Sequence, residues 1–269
     1  METNLSVIHY HGTPIWGGGS EVHRIAVTGA GAFVSYARPD QIEQSFSYAQ
    51  SVAIDNGAFS AWKRGLVINW MDFYAWLEQY YDRENLSFFV IPDVVEGGES
   101  DNNKLIKQVP ASMIDKAVPV WHLHESLDRL VMLSRIFGKC CFGSSGEYAV
   151  IRTHQWHRRM RQAFHRLYDE GLSDIAIHGL RMLDGRVLGN YPLTTADSTN
   201  LACNVPKFKV KYPELTDNVL KSDYVDGLTD SEIKLLVLKS RCAILKNTIE
   251  NVKPPSFDEW IKKNPAEAG

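Results

Sequence analysis

"VPVWHLHESLDRLVMLSRIFGKCCFGSS" (Val118–Ser145) sets two short apolar runs on either side of a helical stretch. In the middle, Leu127, Leu130, Leu133 and Phe137 recur at three- and four-residue steps, the period of one helix face. The flanking runs "VPVWHLH" and "KCCFGSS" are too short for such helices and are apolar at consecutive positions. Each ends in polar or glycine-containing sequence, as parallel strands covered on both faces do.

The same alternation continues in both directions. "LSVIHYH", "AFVSYA", "SVAID", "FFVIPD", "DIAIHGL" and "PLTTAD" bring the number of strand-like runs to about eight, with helical periodicity over Met71–Tyr81 and Trp156–Tyr168. Eight βα units in 269 residues predict an α/β fold, a single (β/α)8 TIM-type barrel with a C-terminal helical extension. A doubly wound open sheet is the rival architecture, but no GxGxxG or GxxxxGK[ST] phosphate loop supports it. Residues 1–205 are read as the barrel core and 206–269 as the extension. The extension comprises a lysine-rich stretch, a long helix over Ser231–Asn251 that closes the barrel, and a short docked helix anchored by Phe257 and Trp260 before a frayed end.

With 44% hydrophobic and 23% charged residues and a net charge of −3, the composition is that of a globular protein without a global pull toward polyanions. No apolar run approaches the roughly 20 residues of a membrane span, and "METNLSVIHYHG" has no signal-peptide pattern. A cytoplasmic protein is expected. The four cysteines form no CxxC pair and have no histidine at zinc-finger spacing, so neither a disulfide framework nor a structural zinc is implied.

In a barrel of this kind the C-terminal strand tips line one mouth, where reactive side chains converge. The predicted tips carry His9/His11, Asp55, Asp93, His122/His124, Gly143/Ser144, His178/Gly179 and Asp197. Asp55 before Asn-Gly also reads as a turn residue, Asp93 after proline as a helix cap, and "ADSTN" as an N-cap. If the three aspartates share a mouth, paired carboxylates can divide a glycosidic displacement into nucleophile and acid/base roles. A competing set, His9, His11, His122, His178 and Asp197, has the residue types of a metal-dependent hydrolase. "IRTHQWHRRMRQAFHR" interleaves Arg152, Arg158, Arg159 and Arg161 with histidines and a tryptophan. It reads either as a phosphate-contacting face or as a solvated outer helix.

These motifs, in this order over about residues 5 to 204, resemble the tRNA-guanine transglycosylase superfamily, and most closely its phage DNA-guanine transglycosylases. "DNGAFS" is similar to the family's Asp-Ser-Gly-Gly-aromatic-Gln motif, which implies Asp55 as general acid/base and Phe59 as the ring that stacks on the purine. "IPDVV" resembles the segment that reads the base edge, implying Asp93. "FGSSGE" is similar to the family's Gly-Leu-Ala-Val-Gly-Glu loop, implying Gly143 and Ser144 as base contacts and Glu147 as loop support. "TTADSTN" stands in the place of the nucleophile, implying Asp197. "WHLHES" replaces the family's glutamine, leaving His122 and His124 as candidates for its place, and "IHGLRM" resembles the phage pattern at His178 and Gly179. The Cys/His zinc insertion of the tRNA enzymes has no counterpart. The resemblance therefore implies exchange of guanine for a 7-deazaguanine (preQ0-like) in DNA, with tRNA as the alternative polymer, and without metal or cofactor. It also makes a homodimer plausible and places a phage-encoded enzyme in the host cytoplasm.

Overall fold

Side chains alternate across a strand with a period of two, so each run must commit one parity to the lumen and the other to the helices. The computed structural model describes residues 7–207, 217, 218, 221 and 225–265. Nine strands are present among them: β1 (His9–Thr13), β2 (Gly31–Ser35), β3 (Ser51–Asp55), β4 (Leu86–Val90), β5 (Ala117–Val118), β6 (Val120–His122), β7 (Lys139–Gly143), β8 (Ala176–Gly179) and β9 (Thr195–Ser198). Every pairing is parallel, in the order β5-β4-β3-β2-β1-β9-β8-β7-β6.

The two ends of that order, β5 and β6, are consecutive in the chain on either side of Pro119. Proline has no N–H to give to a ladder, and the chain changes neighbours there: β5 pairs with β4 and β6 with β7. The Pro119 carbonyl still accepts the Cys141 N–H at 2.8 Å. The predicted fifth strand is thus one run broken at its proline, and the sheet forms a nearly closed barrel.

Tyr10, Phe33, Ala53, Phe88, Val90, Val118, Val120 and Cys141 fill the lumen. The opposite parity, including Val52, Ile54, Phe89, Trp121, Phe142, Ile177 and Ala196, packs under the helices in two outer clusters. Helix Leu127–Phe137 starts on Ser126, whose hydroxyl accepts the Arg129 N–H at 3.1 Å, and stops at Gly138 with φ 64°. That left-handed stop turns the chain directly into β7.

The long C-terminal helix, Asp230–Glu250, begins with a capping box between Thr229 and Glu232. It lies outside the barrel against helix Gly19–Val27, with Lys239 2.6 Å from Glu21. The near-closure of the barrel comes not from this helix but from the nine-stranded sheet, whose end strands β5 and β6 are joined through Pro119 and not paired to each other. Helix Phe257–Lys263 docks as expected: Trp260 is 2% exposed and its ring lies 5.3 Å from that of Phe164. Truncating that indole to alanine would cost about 3–5 kcal/mol. The lysine-rich stretch beyond Lys207 and the last four residues lie outside the described residues. No helix of the described residues is long and apolar enough to cross a membrane.

Candidate active site

The lumen parity of β3 that buries Ala53 also turns Asp55 inward at the strand end, beside Ser35 in register on β2. The Ser35 hydroxyl donates to Asp55 Oδ2 at 2.9 Å, and the Gly57 N–H donates to the same oxygen at 3.1 Å. Burial raises the Asp55 carboxyl to about 6; Asp93 and Asp197 push the same way, while Ser35 and Arg181 oppose. Gly57 has φ 82°, and a Cβ there would lie 2.9 Å from the Ala37 nitrogen. The glycine therefore serves a close passage against the β2 loop, not an approach of backbone to ligand.

Asn56 is almost wholly buried and ties two tips together. Its amide donates to Ile91 O at 2.8 Å and to Asp93 Oδ1 at 2.7 Å, and its Oδ1 accepts the Ala58 N–H at 2.7 Å. Asp93 Oδ2 lies 2.9 Å from His122 Nε2, close in distance but not aligned as a hydrogen bond. His122 faces the lumen next to Gly143, where a Cβ would stand 3.2 Å from its Nδ1. His124 stacks on His122 at 5.6 Å between ring centres, shares a 2.7 Å hydrogen bond with the Ser145 hydroxyl, and donates through Nε2 to Gly97 O at 3.2 Å. Beneath them Glu125 accepts the His122 N–H and an Arg129 N–H, each at 2.9 Å, with both side chains of this ion pair buried.

Asp197 enters from β9, paired in register with lumen residue Tyr10. Its Oδ1 accepts the Arg181 backbone N–H at 2.8 Å and lies 3.4 Å from His178 Nε2. His178 shares a 2.7 Å hydrogen bond with Thr195 Oγ1 and stacks on Phe33 at 5.2 Å. Arg181 holds a positive φ of 59° and lays its guanidinium 3.2 Å from the centre of the Phe59 ring. Below the three acids, burial drives the Cys141 thiol well above its ordinary value, and Asp197, Asp93 and Asp55 all add to that rise. The floor of the mouth is thus a neutral thiol under three carboxylates.

No protein-family model and no curated protein matches the chain.

Asp55, Asp93, Asp197, His122 and His178 converge as expected, with Phe59 at the rim. Several other expected residues do not. His9 and His11 have the parity opposite to Tyr10, so they face outward: His9 Nε2 donates to Val252 O and His11 Nε2 to Glu250 Oε1, each at 2.8 Å. Burial lowers the His9 pKa. The proposed metal set is therefore split between the two sides of the β-wall, and among the described residues no group of three or more His, Cys, Asp or Glu could hold a metal ion. Gly179 also faces outward; a Cβ there would meet Met182 at 2.8 Å and Leu193 at 2.9 Å. The Ser144 hydroxyl accepts the Trp156 indole N–H at 2.9 Å, leaving backbone as its contribution to the mouth. Glu147 is exposed and bonds Gln155 on the following helix, so it braces the outer side of its loop.

The arginine row divides in the same way. Arg159 donates to Leu123 O and Glu125 O and lies over Trp121, holding the sixth-strand loop together. Arg152 sits 3.8 Å from Asp184. Arg158 and Arg161 make no ion pair among the described residues and line an outer groove of about 770 Å³ with His165. Sequence reasoning missed Ser35, Asn56, Cys141 and Arg181. Asn56 and Arg181 stood within quoted motifs, yet neither the crossing to Asp93 nor the positive φ has a local signal.

Proposed function

We propose that the chain is a base-exchange glycosyltransferase that replaces guanine in DNA with a 7-deazaguanine of the preQ0 type. The observation that carries this reading is a pair of lumen-facing carboxylates in unlike environments. Asp55 is raised to about 6 and so can give and take a proton near neutral pH. Asp197 is fixed through one oxygen by the Arg181 N–H, and its Oδ2 accepts no hydrogen bond among the described residues. That is the division of labour a retaining displacement requires.

In the proposed reaction Asp197 Oδ2 attacks the anomeric carbon of the target nucleotide, and the bond to guanine breaks as Asp55 delivers its proton to the departing base. The covalent aspartyl–sugar ester is then attacked by the incoming 7-deazaguanine, whose proton returns to Asp55. In this reading Asp93 accepts from the purine N–H groups once His122 turns from its second oxygen, and the Gly143–Ser144 backbone donates to the carbonyl. His122 Nδ1 and Nε2 and His178 Nε2 are buried without an aligned partner. Such groups normally have one, and a polar ligand in the mouth would supply it. Phe59 can stack on a purine only after Arg181 leaves its ring face, so binding includes a swing of that arginine.

The test is nucleoside mass spectrometry of guanine-containing DNA, and of tRNA in parallel, after incubation with the protein and candidate 7-deazaguanines. The reading expects the new nucleoside in DNA. Unchanged nucleosides in both polymers would contradict it.

A further inference from the structure

Helix Ala58–Arg64 carries a stripe of side chains from the mouth to the rim. Phe59, Trp62/Lys63 and Leu66/Val67 follow at three- and four-residue steps, the spacing of one helix face continued past its end. The Phe59 and Trp62 rings are 5.5 Å apart, and the Lys63 ammonium lies 4.9 Å from the Phe59 ring centre. Gly65 then takes φ 63°, and the Leu66 N–H returns to Ala61 O at 2.9 Å, so the tip is held by a helix-stop turn. Beyond it Leu66 is 59% exposed and Val67 98%, with Trp62 and Met71 also exposed. From Asn56 to Met71 there is no acidic residue, and the only charges are Lys63 and Arg64.

A fixed aliphatic tip flanked by two cations, beside a mouth proposed to take a nucleobase, fits one partner better than any other. We propose that Leu66 and Val67 form a wedge for double-helical DNA: they enter the stack as the target base leaves it, while Lys63 and Arg64 contact the flanking phosphates. Unstacking a base costs a few kcal/mol, and an apolar side chain inserted in its place offsets part of that cost. The absence of acids along this segment lets it approach a backbone that would repel carboxylates. The inference rests on the base-exchange reading for the identity of the group in the mouth, and it names what that reading lacks, the device that opens the duplex.

The wedge is tested with a duplex carrying 2-aminopurine, whose fluorescence rises on unstacking, next to the target guanine. Wild-type protein should raise the fluorescence, and the Leu66→Ser/Val67→Ser variant should lose most of that rise. The side chains are exposed, so its melting temperature should match wild type. The ratio of duplex to single-strand exchange rates should fall about tenfold or more in the variant, the kinetic equivalent of losing an inserted side chain. An equal fluorescence rise in the variant, or an unchanged rate ratio, would overturn the wedge. So would a duplex signal untouched by the substitutions while binding to anionic vesicles is lost, which would assign the tip to a membrane surface. The two readings fail separately. A variant-sensitive fluorescence rise without any base exchange would keep the wedge and reject the transglycosylase. Duplex exchange unaffected by the substitutions would do the reverse.

Discussion

The barrel has two mouths, and their polar groups are arranged in opposite ways. At the N-terminal ends of the strands, Tyr10, Ser51, Ser87, Lys139, Thr194 and Thr195 border a cavity of about 450 Å³ with no carboxylate in its wall. Several of its polar groups already have partners: Tyr10 and Ser51 share a 2.8 Å hydrogen bond, His178 and Thr195 one of 2.7 Å, and Lys139 donates outside the cavity to Asp115 O. At the C-terminal ends three carboxylates crowd together, one with its pKa raised to about 6, and imidazole nitrogens are left without aligned partners. The difference teaches that unlike environments for like groups, present at one mouth and absent from the other, are what single out the place proposed for the chemistry. His178 belongs to both mouths, lining the lower cavity while its Nε2 reaches toward Asp197.

The largest test of this contrast is removal of the nucleophile. Asp197→Asn should lower exchange by about 10⁴–10⁶-fold, the scale seen when one member of a catalytic unit is removed, as read by nucleoside mass spectrometry. Asp55→Asn comes next, with a loss of about 10²–10⁴-fold typical of general acid/base removal. The same substitution has an opposite effect on stability. Because the folded carboxyl titrates above its ordinary value of 3.8, ionising it opposes folding: the cost is absent below about pH 4, grows as pH rises through 6, and stays in full above that. Asp55 is partly open to water, so removing the charge should stabilise the protein by roughly 1–3 kcal/mol at pH 8 and by nearly nothing at pH 4, seen in urea unfolding at the two pH values.

The arginine row gives a smaller effect. Arg158→Ala/Arg161→Ala should flatten the salt dependence of DNA binding by about two counterions' worth of slope, whereas Arg159→Ala should instead lower the melting temperature. Smallest of all, Ser87→Ala in the lower mouth should change exchange by less than about twofold, as expected of a surface-type substitution away from the chemistry. A large loss there would erase the distinction between the two mouths.

The run order "strand, helix, strand" was legible because buried parallel strands are apolar at successive positions and helices repeat every three to four. All eight runs appear as strands, with the fifth broken at Pro119. Helix Leu127–Phe137 has the bounds its periodicity predicts. Parity was not legible. "VIHYH" is apolar or aromatic on both faces, so nothing local says that Tyr10 looks inward and His9 and His11 outward; the register of β1 against β9 decides it. At Asp55 the local reading fared better, since "AIDNG" ends a strand and turns the chain in one stroke. Its partners Ser35 and Arg181 come from other tips, and only closure of the sheet brings them together.

The central claim is that Asp197 becomes covalently joined to the sugar while Asp55 handles the proton. Peptide mass spectrometry of protein trapped with a guanine-containing oligonucleotide tests it most directly. The account predicts a sugar-linked adduct on the peptide containing Asp197 in the wild type, still formed in Asp55→Asn when the leaving base needs no proton, and absent from Asp197→Asn. An adduct that persists in Asp197→Asn, or maps to another residue, would contradict it.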